Sequence, residues 1–344
     1  MHEVTKKFRE TVKQWDLWKR GEPLGLAVSG GIDSMVLLDL VRRIKTSERS
    51  HATVFHFNHK LRGEESDQDA LFVKKICEGW KIPLVVGEAP PWKKKNNLQE
   101  KARQLRYQFF REEAKKAGIQ KIATAHQADD QAETFLIRWI QGAGLKGLSG
   151  IPLMRLVGQH QRVTRAGVPT RAQRVSTGGL EPEAGPVDVG LTIVRPLLFV
   201  TRKEITDYAK KFEVPFREDS SNRETKYLRN KVRQILSELR KLNPNLSVRS
   251  AVNSILLRAD EEYLETVGSN IDSFNIPIFT KLPPSLRYRL LQRMYEEVSG
   301  HPLSGEFVLK IDSLIRDSEP KRQYNLPHGV RFQKDYVCFR FAET

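Results

Sequence analysis

The sequence predicts an α/β fold with a doubly wound, mainly parallel sheet, followed by a smaller, mainly helical C-terminal domain. In the first half, short apolar or β-branched runs alternate with helical patterns, which indicates βαβ units. From about residue 241 onward, amphipathic helical patterns replace this alternation. We therefore predict an N-terminal domain over residues 1–240 and a C-terminal domain over residues 241–344.

Four strand–helix pairs are predicted in the first half. The strands are expected at 24–28, 53–57, 84–86 and 122–125. The helices that follow them are expected at 34–45, 66–80, 98–117 and 130–141. A further strand is expected within 192–198. Residues 158–190 are rich in Gly, Pro, Arg and Thr and have no periodicity, so a flexible insert is predicted there.

The predicted C-terminal domain contains three amphipathic patterns, at 246–268, 284–299 and 307–317. The alternation in VRFQKDYVCFRF near the end of the sequence predicts a terminal hairpin or strand over 329–341. These patterns make the second domain helical, with a small β element at its end.

Composition narrows the class of protein. The chain has 344 residues, 39% of them hydrophobic and 29% charged, which is typical of globular domains. No apolar run is long enough for a membrane helix, and the two cysteines, Cys77 and Cys338, do not form a Cys-x-x-Cys pair. We therefore expect a cytoplasmic protein. The net charge of +16 favours a polyanion partner, although a generally basic composition is the alternative.

The strongest motif is the loop in LGLAVSGGIDSMVLLDLV, where a strand runs directly into a helix. The loop consists of Ser29, Gly30, Gly31, Ile32, Asp33 and Ser34. Its glycines let the backbone turn sharply, and N–H groups at the start of the helix favour phosphate. Asp33 would repel a phosphate by itself, which favours a Mg²⁺ ion held between them. The loop lacks the Lys of a Walker A motif and the G-x-G-x-x-G of a dinucleotide site. A tight turn without a ligand is the remaining alternative.

Three further segments place polar residues near strand ends or on one helix face. They are HFNHKLRGEESDQD from residue 56, QEKARQLRYQFF from residue 99 and ATAHQADDQAET from residue 123. In the third segment, Asp130 and Glu133 lie one helical turn apart and suit a cation. Acidic residues also favour the first turn of any helix through its dipole, which is the structural alternative.

The SGGxDS loop resembles the PP-loop of the ATP pyrophosphatase superfamily. Together with the three segments and with RPLL, DSSN and YLRNKVR from residues 195, 219 and 227, it makes the chain similar to tRNA(Ile)-lysidine synthases over 24–156 and 191–245. The resemblance implies a Rossmann-like PP-loop domain that uses ATP and Mg²⁺. It also implies ligation of L-lysine to C2 of cytidine 34 in the CAU anticodon of tRNA(Ile), through an adenylated tRNA, with release of AMP and pyrophosphate.

The resemblance assigns roles to individual residues. The catalytic set comprises Asp33, Arg106, His126, Asp130 and Glu133. ATP is expected at the loop residues 29–34 with Asn58 and Arg62, Mg²⁺ at Asp33, and lysine at Asp130 and Glu133. His126 is expected to assist proton transfer or to hold the pyrimidine. The residues expected to contact tRNA are Arg103, Arg195, Arg229 and Arg233, with the C-terminal domain recognising the same tRNA.

Other functions stay open at this point. A PP-loop tRNA thiolase, another adenylating synthetase and a non-catalytic RNA-binding module all fit the loop. Two isolated cysteines disfavour sulfur transfer. The sequence allows either a monomer or a homodimer.

Overall fold

The structure, a computed structural model, describes residues 2–48, 51–61, 63–92, 98–157, 190–217, 227–269 and 274–344. The chain divides into two compact units. The first comprises Met1–Glu133 and Ile151–Val252, and the second comprises Thr134–Gly150 and Asn253–Thr344.

The first unit is built on a six-stranded sheet, and the predicted α/β class is confirmed. Its strands are β1 (Leu24–Ala27), β2 (Ala52–Asn58), β3 (Leu84–Glu88), β4 (Lys121–Ala123), β5 (Met154–Val157) and β6 (Leu191–Val194). Their order is β3-β2-β1-β4-β6-β5. All neighbouring strands pair in parallel except β5, which is antiparallel to β6 and lies at the edge. Strand β5 was not predicted, because three of its four residues are exposed and carry no alternation.

The helices of this unit follow the strands as predicted and add three more. They are α1 (Glu3–Gln14), α2 (Ile32–Glu48), α3 (Glu64–Gly79), α4 (Leu98–Lys116), α5 (Ala128–Ile140), α7 (Arg202–Lys211) and α8 (Tyr227–Leu242). Helix α9 (Leu246–Ser269) follows α8 in the chain. Helices α1, α7 and α8 were not predicted. A capping box between Thr201 and Glu204 begins α7, so the local signal for that helix was present in the sequence.

The strand order creates a crevice between β1 and β4. The chain leaves β1 toward β2 and β3, and then crosses to β4 on the other side of β1. Loops that leave the carboxyl ends of β1 and β4 therefore diverge, and ligands bind at such switch points in open α/β sheets. The loop at residues 29–34 follows β1, and the segment with His126 and Asp130 follows β4.

Helix α2 lies in the core and contains a buried carboxylate. The side chains from Met35 to Leu38 are fully buried, as is Leu40. Asp39 is buried among them and accepts hydrogen bonds from Arg42 and Arg43, each at 2.6 Å, and from the Tyr208 hydroxyl of α7 at 2.9 Å. The buried charge is thus paired and hydrogen-bonded, which stabilises it away from water.

The second unit combines helices with a small sheet. Its elements include α6 (Leu145–Leu148), α10 (Ile276–Lys281), α11 (Pro284–Ser299), α12 (Gly305–Arg316) and the strands β7 (Arg322–Leu326), β8 (Val330–Lys334) and β9 (Phe339–Glu343). The strands form an antiparallel sheet in sequence order, so the predicted terminal β element is confirmed. Phe279, Phe332 and Phe339 belong to its hydrophobic core. In the part of the chain that the structure describes, no helix combines the length and the hydropathy that crossing a membrane requires.

We predict that Tyr208→Phe lowers the free energy of unfolding by about 1–2 kcal/mol, because it removes a hydrogen bond to a buried carboxylate without changing side-chain shape. Urea denaturation measures this, with Tyr336→Phe as the control because Tyr336 is 69% exposed. Equal stability of Tyr208→Phe and the wild type would contradict the assigned role of this hydroxyl.

Candidate active site

The loop after β1 has the geometry of a phosphate-binding turn. Gly30 has a φ of 97°, a conformation that other residues rarely adopt, and a Cβ there would meet Val73 Cγ2 at 3.4 Å. The Ser34 hydroxyl donates to the Gly31 carbonyl at 2.9 Å and accepts the Ser29 N–H at 3.2 Å. Because α2 begins at Ile32, the positive end of its dipole lies at this loop.

Asp33 lies in the first turn of α2 with one oxygen paired and the other unbonded. Its Oδ2 accepts from Arg202 Nη2 at 2.9 Å. Among the residues that the structure describes, none donates a hydrogen bond to the buried Oδ1. Burial raises the pKa of Asp33, and Arg202 partly offsets this effect. A buried carboxylate oxygen without a donor is suited to a cation.

The donor set around Asp33 fits Mg²⁺ only with ligands from outside the protein. Within the described ranges, no group of three or more His, Cys, Asp or Glu side chains is arranged to hold a metal ion. Mg²⁺ usually binds one or two carboxylates and completes its shell with phosphate oxygens and water. Asp33 therefore fits as a single protein ligand beside a phosphate-binding loop.

Asp129, at the start of α5, joins several elements of the first unit. Its carboxylate accepts the backbone N–H of Arg202 at 2.7 Å and the hydroxyl of Ser247 at 3.1 Å, and it pairs with Arg240. The first turns of α5 and α7 are thus held together beside Asp33. We had not predicted this residue, and neither Arg202 nor Ser247 lies near it in the sequence.

Asp130 and Glu133 are in different electrostatic states, although they lie one turn apart. Asp130 accepts the Gln127 N–H at 3.1 Å, and burial, together with the charges of Asp33 and Glu133, raises its pKa to about 6. Glu133 is buried and accepts from Arg233 Nε at 2.7 Å and from Arg229 Nε at 3.3 Å. The negative charge of Glu133 is therefore balanced by arginines in this conformation.

His126 lies in a cationic environment. Its Nδ1 is 2.9 Å from the Thr124 hydroxyl. Burial, followed by the charges of Arg195 and Arg106, lowers the pKa of His126 to about 3. The imidazole is therefore neutral at neutral pH. A neutral ring with so low a pKa is poorly matched to proton transfer and is suited to hydrogen bonding with a base.

Four of the predicted arginines differ in exposure. Arg103 is exposed and lies over the Tyr107 ring at 5.3 Å, whereas burial lowers the pKa of Arg106. Arg195 is only 2% exposed and donates to the Pro152 carbonyl at 2.5 Å. Burial lowers the pKa of Arg195 to about 10. We predicted that Arg195 contacts tRNA, but its guanidinium is buried and hydrogen-bonded to a backbone carbonyl of the protein. Arg229 remains half-exposed, at 48% of its side chain.

Asn58 has a structural role in this conformation. Its amide donates to Asp67 at 2.6 Å, and its carbonyl oxygen accepts the Lys60 N–H at 2.9 Å. Both ends of the side chain form hydrogen bonds that shape the turn after β2. The predicted contact with ATP would require Asn58 to exchange one of these partners. Arg62 lies outside the described residues, as do positions 158–189 of the predicted insert.

Comparisons with known proteins agree with this geometry. Residues 1–239 match the family model described as the PP-loop domain, ATP_bind_3. A tRNA(Ile)-lysidine synthase from Geobacter sulfurreducens is 30% identical, over 98% of this chain and 69% of that protein. The enzyme of the same name from Clostridioides difficile is 30% identical, over 94% of this chain and 67% of that protein.

A solved structure shares the fold. It is the U34-tRNA thiolase NcsA from Methanococcus maripaludis with its [4Fe-4S] cluster, with a TM-score of 0.56 and 17% identity. The match covers 74% of this chain and 78% of the thiolase. At this identity, the match supports a shared fold and not a shared reaction.

We predict that Asp130→Asn stabilises the fold at neutral pH, because it removes a charge that burial disfavours. The pKa of Asp130 is about 6 in the folded protein and 3.8 in the reference state. Its stabilising contribution is therefore complete below pH 3.8 and is lost as pH rises through 6. Urea denaturation between pH 4 and 8 should show the advantage of the variant growing up to about pH 6 and then levelling off. A difference that does not change with pH would contradict the shifted pKa.

Proposed function

We propose a reaction for this chain, which belongs to the tRNA(Ile)-lysidine synthase family of PP-loop proteins. The protein uses ATP to modify tRNA, and we infer that it joins L-lysine to C2 of cytidine 34 in the CAU anticodon of tRNA(Ile), giving lysidine. The observation that carries this proposal is the meeting of a phosphate-binding loop and the Asp130 carboxylate at one switch point of the sheet.

The first half-reaction needs the loop after β1. Oxygen O2 of the cytidine attacks the α-phosphorus of ATP, the bond to the leaving pyrophosphate breaks, and an adenylated base forms. The N–H groups of residues 29–34 bind the phosphates that leave. Mg²⁺ held by Asp33 would neutralise part of their charge. Arg202 pairs with Asp33 beside this loop, so its guanidinium lies where a phosphate could become its partner.

The second half-reaction needs a site for lysine. The ε-amine attacks C2, the bond from C2 to O2 breaks, and O2 leaves on AMP. The ammonium group must first lose a proton. Asp130 has a pKa near 6, which makes it the carboxylate best matched to bind the ammonium and accept that proton. We assign Glu133 as the second lysine ligand, which requires exchange of an arginine partner.

We assign tRNA binding to several arginines of the first unit. The guanidinium groups of Arg229 and Arg233 are partly exposed and are held by Glu133, and Arg103 is exposed on α4. Partly exposed arginines bind phosphate oxygens with two donors at once. Neutral His126 would hold the pyrimidine by a hydrogen bond rather than transfer a proton.

Residues 241–344 also carry features suited to tRNA. On the sheet of the second unit, Arg340 Nε donates to Gln333 at 2.8 Å, and Arg331 Nε donates to Asn325 at 3.1 Å. These neutral partners fix the guanidinium planes without cancelling their charge. Lys321 lies 5.4 Å from the ring of the exposed Tyr336. Cations of this kind beside polar amides and an aromatic ring suit an RNA backbone.

Sulfur transfer is the main alternative reaction on this fold. It would need a reactive thiolate or a cluster of cysteines, but burial raises the pKa of Cys77 to about 11. The other cysteine, Cys338, belongs to the second unit, whereas Cys77 belongs to the first. The thiols of this chain thus favour lysine ligation over thiolation.

The direct test mixes the protein with ATP, Mg²⁺, labelled lysine and a tRNA(Ile) transcript with a CAU anticodon. We expect label in the tRNA with one AMP and one pyrophosphate per lysine. The matched control is the same transcript with uridine at position 34, which should stay unlabelled. Asp33→Ala should fold normally but lose Mg²⁺-dependent pyrophosphate release. Normal turnover by this variant would contradict our site, and absence of label with the wild type would contradict the reaction.

Glu133→Gln separates the lysine role from the nucleotide role. A charge-assisted hydrogen bond contributes about 1.5–3 kcal/mol, so the lysine KM should rise about ten- to a hundredfold while ATP affinity is unchanged. Glu113→Gln is the control, since Glu113 pairs with Lys116 at the surface of α4. A loss of ATP affinity with unchanged lysine dependence would place Glu133 in the nucleotide–metal site instead.

A further inference from the structure

The HFNHKLRGEESDQD segment contains a carboxylate, Asp69, that the proposed reaction does not use. Asp69 lies on α3 and accepts from Arg217 Nε at 2.7 Å, and Gln68 on the same helix accepts from Arg217 Nη2 at 3.1 Å. The two charged side chains are 14% and 34% exposed. Arg217 lies 148 residues further along the chain, so this pair joins two distant segments of the first unit.

The backbone of Arg217 contacts the phosphate loop directly. Its N–H donates to the Gly30 carbonyl at 3.0 Å. The peptide between Gly30 and Gly31 is planar and trans, so its carbonyl and its N–H point in opposite directions. Holding the carbonyl toward Arg217 therefore fixes the direction of the Gly31 N–H on the other side of the peptide.

Helix α3 limits the same peptide from a second side. A Cβ on Gly30 would meet Val73 Cγ2 at 3.4 Å and Phe72 Cδ1 at 3.6 Å, so the loop backbone lies directly against this helix. Asp69 is one turn before Val73 on that helix. The ion pair therefore connects Arg217, whose N–H is bonded to the Gly30 carbonyl, to the helix against which Gly30 packs.

We propose that Asp69 and Arg217 are positioning residues for ATP. By fixing Arg217 against α3, Asp69 keeps the Arg217 N–H on the Gly30 carbonyl. This holds the Gly31 N–H, which donates to the Ser29 hydroxyl at 3.4 Å, on the side of the loop where a phosphate would replace that hydroxyl as its acceptor. Neither side chain touches the nucleotide in this account. The proposal rests on the loop binding ATP and not on the identity of the modified base.

The test uses Asp69→Asn in the full chain and measures binding without tRNA or lysine. Calorimetry should show a dissociation constant for inorganic pyrophosphate about three- to tenfold higher than in the wild type, as expected for loss of one partly buried ion pair. Adenosine, titrated in the same way, should bind unchanged because it has no phosphate. In turnover, the KM for ATP should rise while the KM for lysine stays the same.

Further variants keep this test specific. Glu78→Gln removes a carboxylate from the same helix, where Glu78 pairs weakly with Lys74 at 4.0 Å on the surface, and it should bind pyrophosphate like the wild type. Arg217→Lys and Arg217→Gln both keep the backbone donor, but only Arg217→Lys keeps a cation that can pair with Asp69. Arg217→Lys should therefore retain more pyrophosphate affinity than Arg217→Gln. Combining Asp69→Asn with Arg217→Gln should add little to either single change, because both break the same contact.

Distinct results would overturn the inference. If Asp69→Asn lowers the free energy of unfolding but leaves pyrophosphate binding unchanged, the pair only anchors the fold. If pyrophosphate and adenosine weaken equally, the effect does not arise at the loop. Failure of the wild type to form lysidine would refute the proposed reaction alone, since the pyrophosphate measurement involves neither tRNA nor lysine.

Discussion

The reversal of strand order between β1 and β4 is the constraint on which the site depends. After β1 the chain continues to one side of the sheet, and after β4 it continues to the other side. The two connections therefore diverge from the carboxyl ends of these strands, and the space between them stays open to a ligand. The chain places a glycine loop after β1 and an acidic turn after β4. Groups about a hundred residues apart in the sequence can therefore act on one nucleotide, and the hydrophobic core that includes α2 supports both.

Acidic and basic side chains of the site stabilise one another as ion pairs. Arg202 donates to Asp33 from its side chain and to Asp129 from its backbone N–H. Arg229 and Arg233 both donate to Glu133. Each of these pairs satisfies a partly buried carboxylate that would otherwise be destabilising. Phosphates and an ammonium group carry the complementary charges, so binding substrates would exchange partners rather than desolvate new ions. For Asp130, burial outweighs the opposing effects of the Gln127 N–H and of Arg202, and its pKa is raised to about 6.

Local signals predicted most of the fold, and long-range contacts account for what was missed. The loop at 29–34 and the helices after each strand follow from glycines, apolar periodicity and polar strand ends within a few residues. Arg202 and Asp33 are 169 residues apart, and no local pattern connects them. Arg195 looked like a surface cation, but it directly follows the buried strand β6 and becomes buried with it. The Asn58 amide could bind ATP, but it donates to Asp67 instead. This contact depends on the position of α3, which the local sequence does not determine.

In the proposed reaction, the α-phosphate of ATP joins the O2 atom of the target base at this switch point. Isotopic labelling tests it most directly. A CAU-anticodon transcript carrying ¹⁸O at O2 of cytidine 34 would be converted with ATP and lysine, and the products examined by mass spectrometry. If the base is adenylated, ¹⁸O appears in AMP and is absent from pyrophosphate. Recovery of unlabelled AMP together with lysine-modified tRNA would contradict adenylation of the base.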